Sequence, residues 1–209
     1  MSAYTTIYHE QGILVVSKES GVASQPSKAG GSNVYELLSS KYPYVGMHHR
    51  LDQPASGLML FTTDPAHNKS ISEGFKERII RRKYTLVVAG KISNKKGSWT
   101  KQLKGQQATT IWHNKGYFRR LSLLEAELKT GRTHQIRLHA QLNGTPIAGD
   151  RRYGGFAGQL WPRLALHAHE LHFVHPALNE PVTVRAPVPE DLKDLVLPFS
   201  STPPNTQAP

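Results

Sequence analysis

His48-His49-Arg50-Leu51-Asp52-Gln53-Pro54-Ala55-Ser56-Gly57-Leu58-Met59-Leu60-Phe61 sets an ionisable acid beside an apolar run that reads as a buried strand. Asp52 and Pro54 are turn residues, so residues 45–62 are expected to form two strands with the Asp52 turn between them. A carboxylate held there by the fold can act on a bound ligand. On the open surface the same group would form only a local ion pair with Arg50.

The elements around this stretch follow from local patterning. Residues 12–18 read as a buried strand and residues 21–31, rich in Gly, Ser and Pro, as a loop. Asn33, with Glu36 three residues on, resembles a capping box and opens a short helix to about Lys41. Asp64-Pro65 is an N-cap and first-turn pair. The helix it opens carries Ile71, Phe75 and Ile79 at spacings of four, a stripe expected to face the core. Residues 84–89 read as a strand, and the basic, Gly-bearing residues 91–107 as a loop or a hairpin with a mobile tip. Residues 121–128 form another strand. Thr133 is expected to cap a helix through Leu142, with Gly144 just beyond its end and with Arg137 and Gln141 on one side. Residues 165–174 and 182–186 read as strands and 189–195 as a final helix. Residues 200–209, rich in Pro, Ser, Thr and Gln, are expected to be a disordered tail. Strands outnumber helices and long crossovers are few. This favours an α+β fold with a mostly antiparallel sheet, in one domain over residues 1–198.

Composition narrows the function. The 209 residues include 26 Lys and Arg against 15 Asp and Glu, a net charge of +11, and the pI is near 9.9. Such a balance points to a polyanionic partner. The absence of cysteine excludes disulfides, thiolate metal sites and cysteine nucleophiles. No apolar run approaches membrane-spanning length, and the N-terminal residues carry no signal-peptide pattern. The expectation is a cytoplasmic monomer that meets no membrane. Eleven histidines raise the possibility of a metal site. However, His134 and His139 are five apart, a poor spacing for one helix face, and there is no His-Glu-x-x-His pattern. No metal is expected.

Four segments together resemble the RluA-type pseudouridine synthases: His49-Arg50-Leu51-Asp52; Arg82-Lys83-Tyr84; Gly131-Arg132-Thr133-His134-Gln135-Ile136-Arg137-Leu138-His139 with Gly144-Thr145-Pro146-Ile147-Ala148-Gly149-Asp150; and Leu166-His167-Ala168 with His175-Pro176. Their order and spacing match that family from about Ile7 to Asp191. The resemblance implies the mixed, mostly antiparallel sheet of the pseudouridine synthase catalytic domain. Many relatives carry a small N-terminal RNA-binding domain; none is expected here, because the first core strand is read as beginning near Ile13. It also implies isomerisation of uridine to pseudouridine in ribosomal or transfer RNA, with no cofactor. In one place the pattern departs. Relatives read Asn-Lys-Pro-x-Gly where this chain has Ser17-Lys18-Glu19-Ser20-Gly21, a change expected to loosen a turn and put an acid on the RNA side.

By the same resemblance Asp52 is the catalytic carboxylate. Burial disfavours its charged form unless a cation compensates, and the resemblance assigns that cation to Arg137, predicting a direct Asp52–Arg137 ion pair. Tyr84 would stack on the uracil, Leu138 and Leu166 would wall the base, and Arg50 would fill the space left by an extruded base. Arg81, Arg82, Lys83 and Arg132 suit phosphate contacts, which set affinity without reading sequence. Two other classes compete. A non-catalytic RNA-binding or chaperone protein on the same fold would tolerate loss of Asp52 or Arg137, and both are present. A metal-dependent hydrolase would need the histidines to hold a metal.

Overall fold

In the computed structural model, residues 2–26 and 30–200 are described. The expected tail beyond Ser200 lies outside them. Among the described residues there are ten strands and four α-helices. The chain divides into two compact units: residues 1–82 with 168–186, and residues 83–167 with the segment from Pro187 on.

In the first unit, β1 (Tyr4–Glu10) pairs antiparallel with β2 (Ile13–Lys18), and β2 pairs antiparallel with β4 (Ser56–Thr62). The two-residue β3 (Gly46–Met47) lies on β4, and β10 (Pro181–Arg185) pairs with β9 (Leu166–Val174). Every residue of β4 is buried, so its apolar run has no polar alternation. Ile13, Val15, Leu58, Leu60, Leu171, Phe173 and Val184 form the core with Ile71 of α2 (Asn68–Lys76). Helix α1 (Val34–Ser39) starts as expected: Asn33 Oδ1 accepts the Glu36 N–H at 3.0 Å, and Asn33 Nδ2 donates to the Glu36 carboxylate at 2.6 Å. Asp64 caps a 3-10 turn at Pro65–His67 that leads into α2. The core stripe ends sooner than its spacing suggested. Helix α2 stops at Lys76 and Arg78 turns left-handed (φ 65°), which leaves Ile79 49% exposed and buries Ile80 instead.

In the second unit the strands run in the order β5 (Arg81–Ala89), β8 (Leu121–Leu128), β7 (Thr110–Phe118) and β6 (Lys96–Trp99), antiparallel at each step. The basic stretch is thus a strand and a turn, and β7 had no clear signal. Its alternation is broken by a register shift between Asn114 and Gly116, where Asn, Lys and Gly interrupt the apolar pattern. Helix α4 (Glu190–Ser200) is longer than expected and packs on β7, with the Phe199 and Phe118 rings 6.4 Å apart. Residues 146–148 run beside β5: Ala89 N–H donates to Pro146 and Ala148 N–H to Val87.

Helix α3 (Gln135–Leu142) does not begin on a Thr133 cap. Its N-cap is His134, held at φ 55° with no side-chain cap bond, and Thr133 is exposed. Gln135 takes over the job of fixing the entry. Its Oε1 accepts the Thr130 hydroxyl at 2.7 Å and the Arg132 N–H at 3.0 Å, while Nε2 donates to the Thr109 carbonyl and the Thr110 hydroxyl. A buried amide that fills four bonds outcompetes an exposed hydroxyl. At the other end Gly144 takes φ 73°, as expected of a residue just past a helix.

Candidate active site

The Asp52 loop is fastened by its own sequence. Strand β3 pairs with β4 only as far as Met47↔Phe61. At the next positions the chain leaves the sheet, and the Leu60 N–H that a longer strand would have taken donates to His49 Nε2 at 2.9 Å. That bond needs a lone pair on Nε2, so the His49 proton sits on Nδ1. His49 is buried, and burial first, then the Arg82 and His48 charges, hold its pKa well below the usual imidazole value. Its ring lies 4.9 Å from Phe75, and the Arg82 guanidinium lies 5.1 Å over the same Phe75 ring. His48 is fixed as well. The Thr62 hydroxyl gives its proton to Asn68 Oδ1 at 2.6 Å, so His48 Nε2 donates to Thr62 at 3.1 Å and Nδ1 accepts from Ser72 at 3.1 Å. Burial lowers the His48 pKa.

The next residues are held just as closely. Ser24 Oγ accepts the Leu51 N–H at 3.1 Å and donates to the Leu51 carbonyl at 2.8 Å. Ala55 N–H closes the turn on the Asp52 carbonyl at 3.0 Å. Lys18, 1% exposed, shares its three N–H groups among the carbonyls of Glu19, Val22, Gln53 and Ala55, at 2.6–3.1 Å. One ammonium thereby ties the 19–22 loop to the Asp52 turn. The departure at Glu19-Ser20 does not loosen that turn. The Glu19 N–H, which a proline would lack, donates to Ala3 at 3.0 Å, and Ser20 Oγ donates to the Pro54 carbonyl at 2.9 Å. Asp52 is partly buried and Arg50 exposed. The first unit also carries Arg81, exposed, and Arg82, partly buried.

The second unit carries the other candidates. Arg137, 5% exposed on α3, donates from Nε and Nη2 to the two oxygens of Asp150, each at 2.8 Å. Asp150 thus takes two of the three guanidinium nitrogens in a fork-to-fork bond and fixes the plane of the third. Asp150 Oδ1 also accepts the N–H groups of Arg152 and Tyr153 at 3.1 Å. Burial pushes the Asp150 carboxyl up. The Arg137 hydrogen bond and charge, with the two backbone N–H groups, outweigh it and hold the carboxyl below the usual carboxylate range. The Arg137 guanidinium lies 4.9 Å over the Tyr153 ring, whose hydroxyl is 2.8 Å from His134 Nδ1. Tyr84, 4% exposed, pairs with Ala126 in the sheet, Leu166 is buried at the start of β9, and Leu138 is partly buried on α3. Lys83 is partly buried, and Arg132 is exposed with its Nε bonded to the Gln107 carbonyl.

Asp150, His49 and Lys18 were not picked out as site residues from the sequence. Asp150 had a signal, a lone acid closing the Gly144–Asp150 motif. His49 and Lys18 lie in motif segments too, but their roles were not legible, because each acts on backbone atoms brought together only by folding.

The chain is similar to proteins already known. Residues 12–142 match the model of the RNA pseudouridylate synthase family. Among curated relatives, the uncharacterized RNA pseudouridine synthase YlyB of Bacillus subtilis is 34% identical over 90% of this chain and 70% of its own length. Ribosomal large subunit pseudouridine synthase D of Xanthomonas campestris is 31% identical over 91% of this chain and 67% of its own length. Among solved structures, human RNA pseudouridylate synthase domain containing 4 superposes with a TM-score of 0.77 at 18% identity, covering 96% of this chain and 94% of that one. Human RNA pseudouridylate synthase domain containing 1 gives 0.73 at 22% identity over 97% of each. The α+β fold with its mixed, mostly antiparallel sheet is therefore that of the pseudouridylate synthase domains. The chain belongs to the RNA pseudouridylate synthase family, isomerases that act on RNA.

Proposed function

We propose that the chain converts uridine to pseudouridine in ribosomal or transfer RNA, with the Asp52 carboxylate as the group that traps or stabilises the separated base and sugar. The single observation that carries this reading is the Asp52 turn itself, pinned by His49, Ser24 and Lys18 so that a partly buried carboxylate is presented at a fixed point. The reaction breaks the bond from ribose carbon 1 to uracil nitrogen 1 and makes a bond from that carbon to uracil carbon 5. The carbon 5 proton is lost and nitrogen 1 gains one, so no redox carrier or outside reactant is needed. A carboxylate serves by attacking the sugar carbon, by adding to the uracil ring, or by assisting loss of the base proton. Arg137, aimed by Asp150, supplies the cation that keeps Asp52 ionised. Tyr84 stacks on the uracil, Leu138 and Leu166 wall it, and Arg50 takes the space it leaves. Arg81, Arg82, Lys83 and Arg132 hold phosphates. Ribosomal RNA in the cytoplasm is the favoured substrate, because several relatives are named ribosomal large subunit pseudouridine synthases.

Asp52→Asn keeps the shape and removes the ionised oxygen. On RNA carrying tritium at uracil carbon 5, the variant is expected to release none while the fold and RNA binding stay near wild type. Release at the wild-type rate overturns the assignment. Pseudouridine mapping in total RNA from cells with and without the gene identifies the target.

A further inference from the structure

Residues 151–163, Arg-Arg-Tyr-Gly-Gly-Phe-Ala-Gly-Gln-Leu-Trp-Pro-Arg, contain three arginines and no acid. They follow directly on Asp150 and lie wholly within the second unit. Their start is locked onto that acid. Besides the Arg152 and Tyr153 N–H groups on its carboxylate, the Asp150 carbonyl accepts Gly154 N–H at 2.7 Å, and Gly149 N–H donates to Ala157 at 2.8 Å. A Cβ on Gly154 would run into the Asp150 carbonyl. The far end is anchored on α4: Trp161 Nε1 donates to the Asp191 carbonyl at 3.0 Å, and Arg163 forks onto the Asp191 carboxylate at 2.9 and 2.7 Å.

Between these anchors opens a cleft of about 680 Å³, lined by Arg151, Gly155, Gly158, Leu160, Trp161 and Pro162. Its size suits a small ligand. Arg151 is exposed, with Nη2 3.3 Å from the Pro162 carbonyl, and Arg152 is exposed beside it. On the same segment Phe156 is 71% exposed. An exposed phenylalanine and a partly exposed tryptophan beside cations, with no competing carboxylate in the segment, match how single-stranded nucleic acid is held: rings stack on bases and arginines meet phosphates.

We propose that this cleft takes a nucleotide of the substrate RNA other than the target uridine. Its base lies against Trp161 and Leu160, its phosphate on Arg151, and Phe156 offers a platform to the neighbouring base. The proposal rests on RNA being the substrate. Charge selects that occupant, since every nucleotide brings a phosphate to Arg151 and Arg152, whereas an apolar peptide brings none.

Tryptophan emission tests it on the full chain. Trp161 is partly exposed, whereas Trp99 and Trp112 are 5% and 6% exposed, so quenching by a stacked base reports on Trp161. Dodecauridylate is expected to quench wild-type emission, and Trp161→Phe to remove most of that response. Polyglutamate, which carries charge without bases, is expected not to quench. The double variant Arg151→Gln/Phe156→Ala, altered only at exposed side chains, is expected to bind dodecauridylate about tenfold more weakly. Equal quenching by polyglutamate, full quenching in Trp161→Phe, or unchanged affinity in the double variant each overturns the proposal. The titration judges the cleft and the Asp52→Asn assay judges the reaction, so either can fail without the other.

Discussion

At the scale of single residues, the candidate site residues depend on buried groups that fix them. Arg137 and Asp150 are both buried, and their ion pair is kept because each would be costly alone. Asp150→Asn leaves the guanidinium without its charge partner and is expected to destabilise the protein by about 3–5 kcal/mol. The pH dependence follows from the lowered Asp150 pKa. The unfolded chain binds this proton near the ordinary value of about 3.9 and the folded chain only at lower pH. The contribution is therefore complete above that value and is lost as pH falls through the folded one. Urea unfolding of wild type and variant should show a constant gap from pH 5 upward that narrows in acid. A gap unchanged in acid contradicts the ion-pair account. His49 behaves likewise for a different reason. Buried and neutral, it binds its proton more weakly than in the unfolded chain, so its contribution is complete above about pH 6.5 and declines below it. His49→Ala strands the Leu60 N–H at a cost of about 1–3 kcal/mol. If His49 only fills space, a smaller loss with unchanged turnover should be measured; the expected result is a lower single-turnover rate with unchanged RNA affinity.

At the scale of elements, the Asp52 turn is a junction between β2, β3 and β4. Lys18 ends β2, yet its ammonium bonds the loop after β2 and the turn before β4. Lys18→Met keeps the apolar stem and leaves those carbonyls unsatisfied. Thermal unfolding is expected to show a loss of at least about 2 kcal/mol, and an unchanged melting temperature rules the junction role out. Gly57 marks the start of β4 at φ 116°, and a Cβ there would meet the Ala168 backbone. Gly57→Ala therefore carries both backbone strain and a clash. It is expected to destabilise the protein by more than the roughly 1 kcal/mol typical of the conformational effect alone.

At the scale of the whole molecule, the net charge of +11 sets long-range attraction to RNA without choosing a sequence. Neutralising exposed Arg81 and Arg132 together is expected to weaken binding to matched and unmatched RNA alike. The slope of log affinity against log salt should flatten by roughly 0.7 per lost single-strand contact. Arg50→Ala is expected to act otherwise, slowing single-turnover conversion while ground-state affinity holds. Filter binding over a salt series separates the two. A salt slope flattened by Arg50→Ala, with conversion unchanged at saturating enzyme, makes Arg50 a phosphate contact.

Periodicity and turn chemistry were enough for β2, the Asp52 turn, β4, β8 and the cap of α1, because each is decided by residues close in sequence. The four motif segments were enough for the family. Strand β7 escaped because its pairing with β8 tolerates a bulge that breaks local alternation. Ile79 fell outside the core because α2 ended one turn early, a choice made by Ile80 packing into the core. Thr133 does not cap α3, whose N-cap is His134, and Gln135 fixes the entry through four partners from residues 109–132. The missing proline at Glu19 read as a loose turn until the fold supplied Ala3 and Pro54 as partners for the freed N–H and the Ser20 hydroxyl. The sequence by itself determined which chemistry-bearing residues the protein has. Only the tertiary structure decided what holds them, because the bonds that fix His49, Lys18 and Arg137 join atoms far apart along the chain.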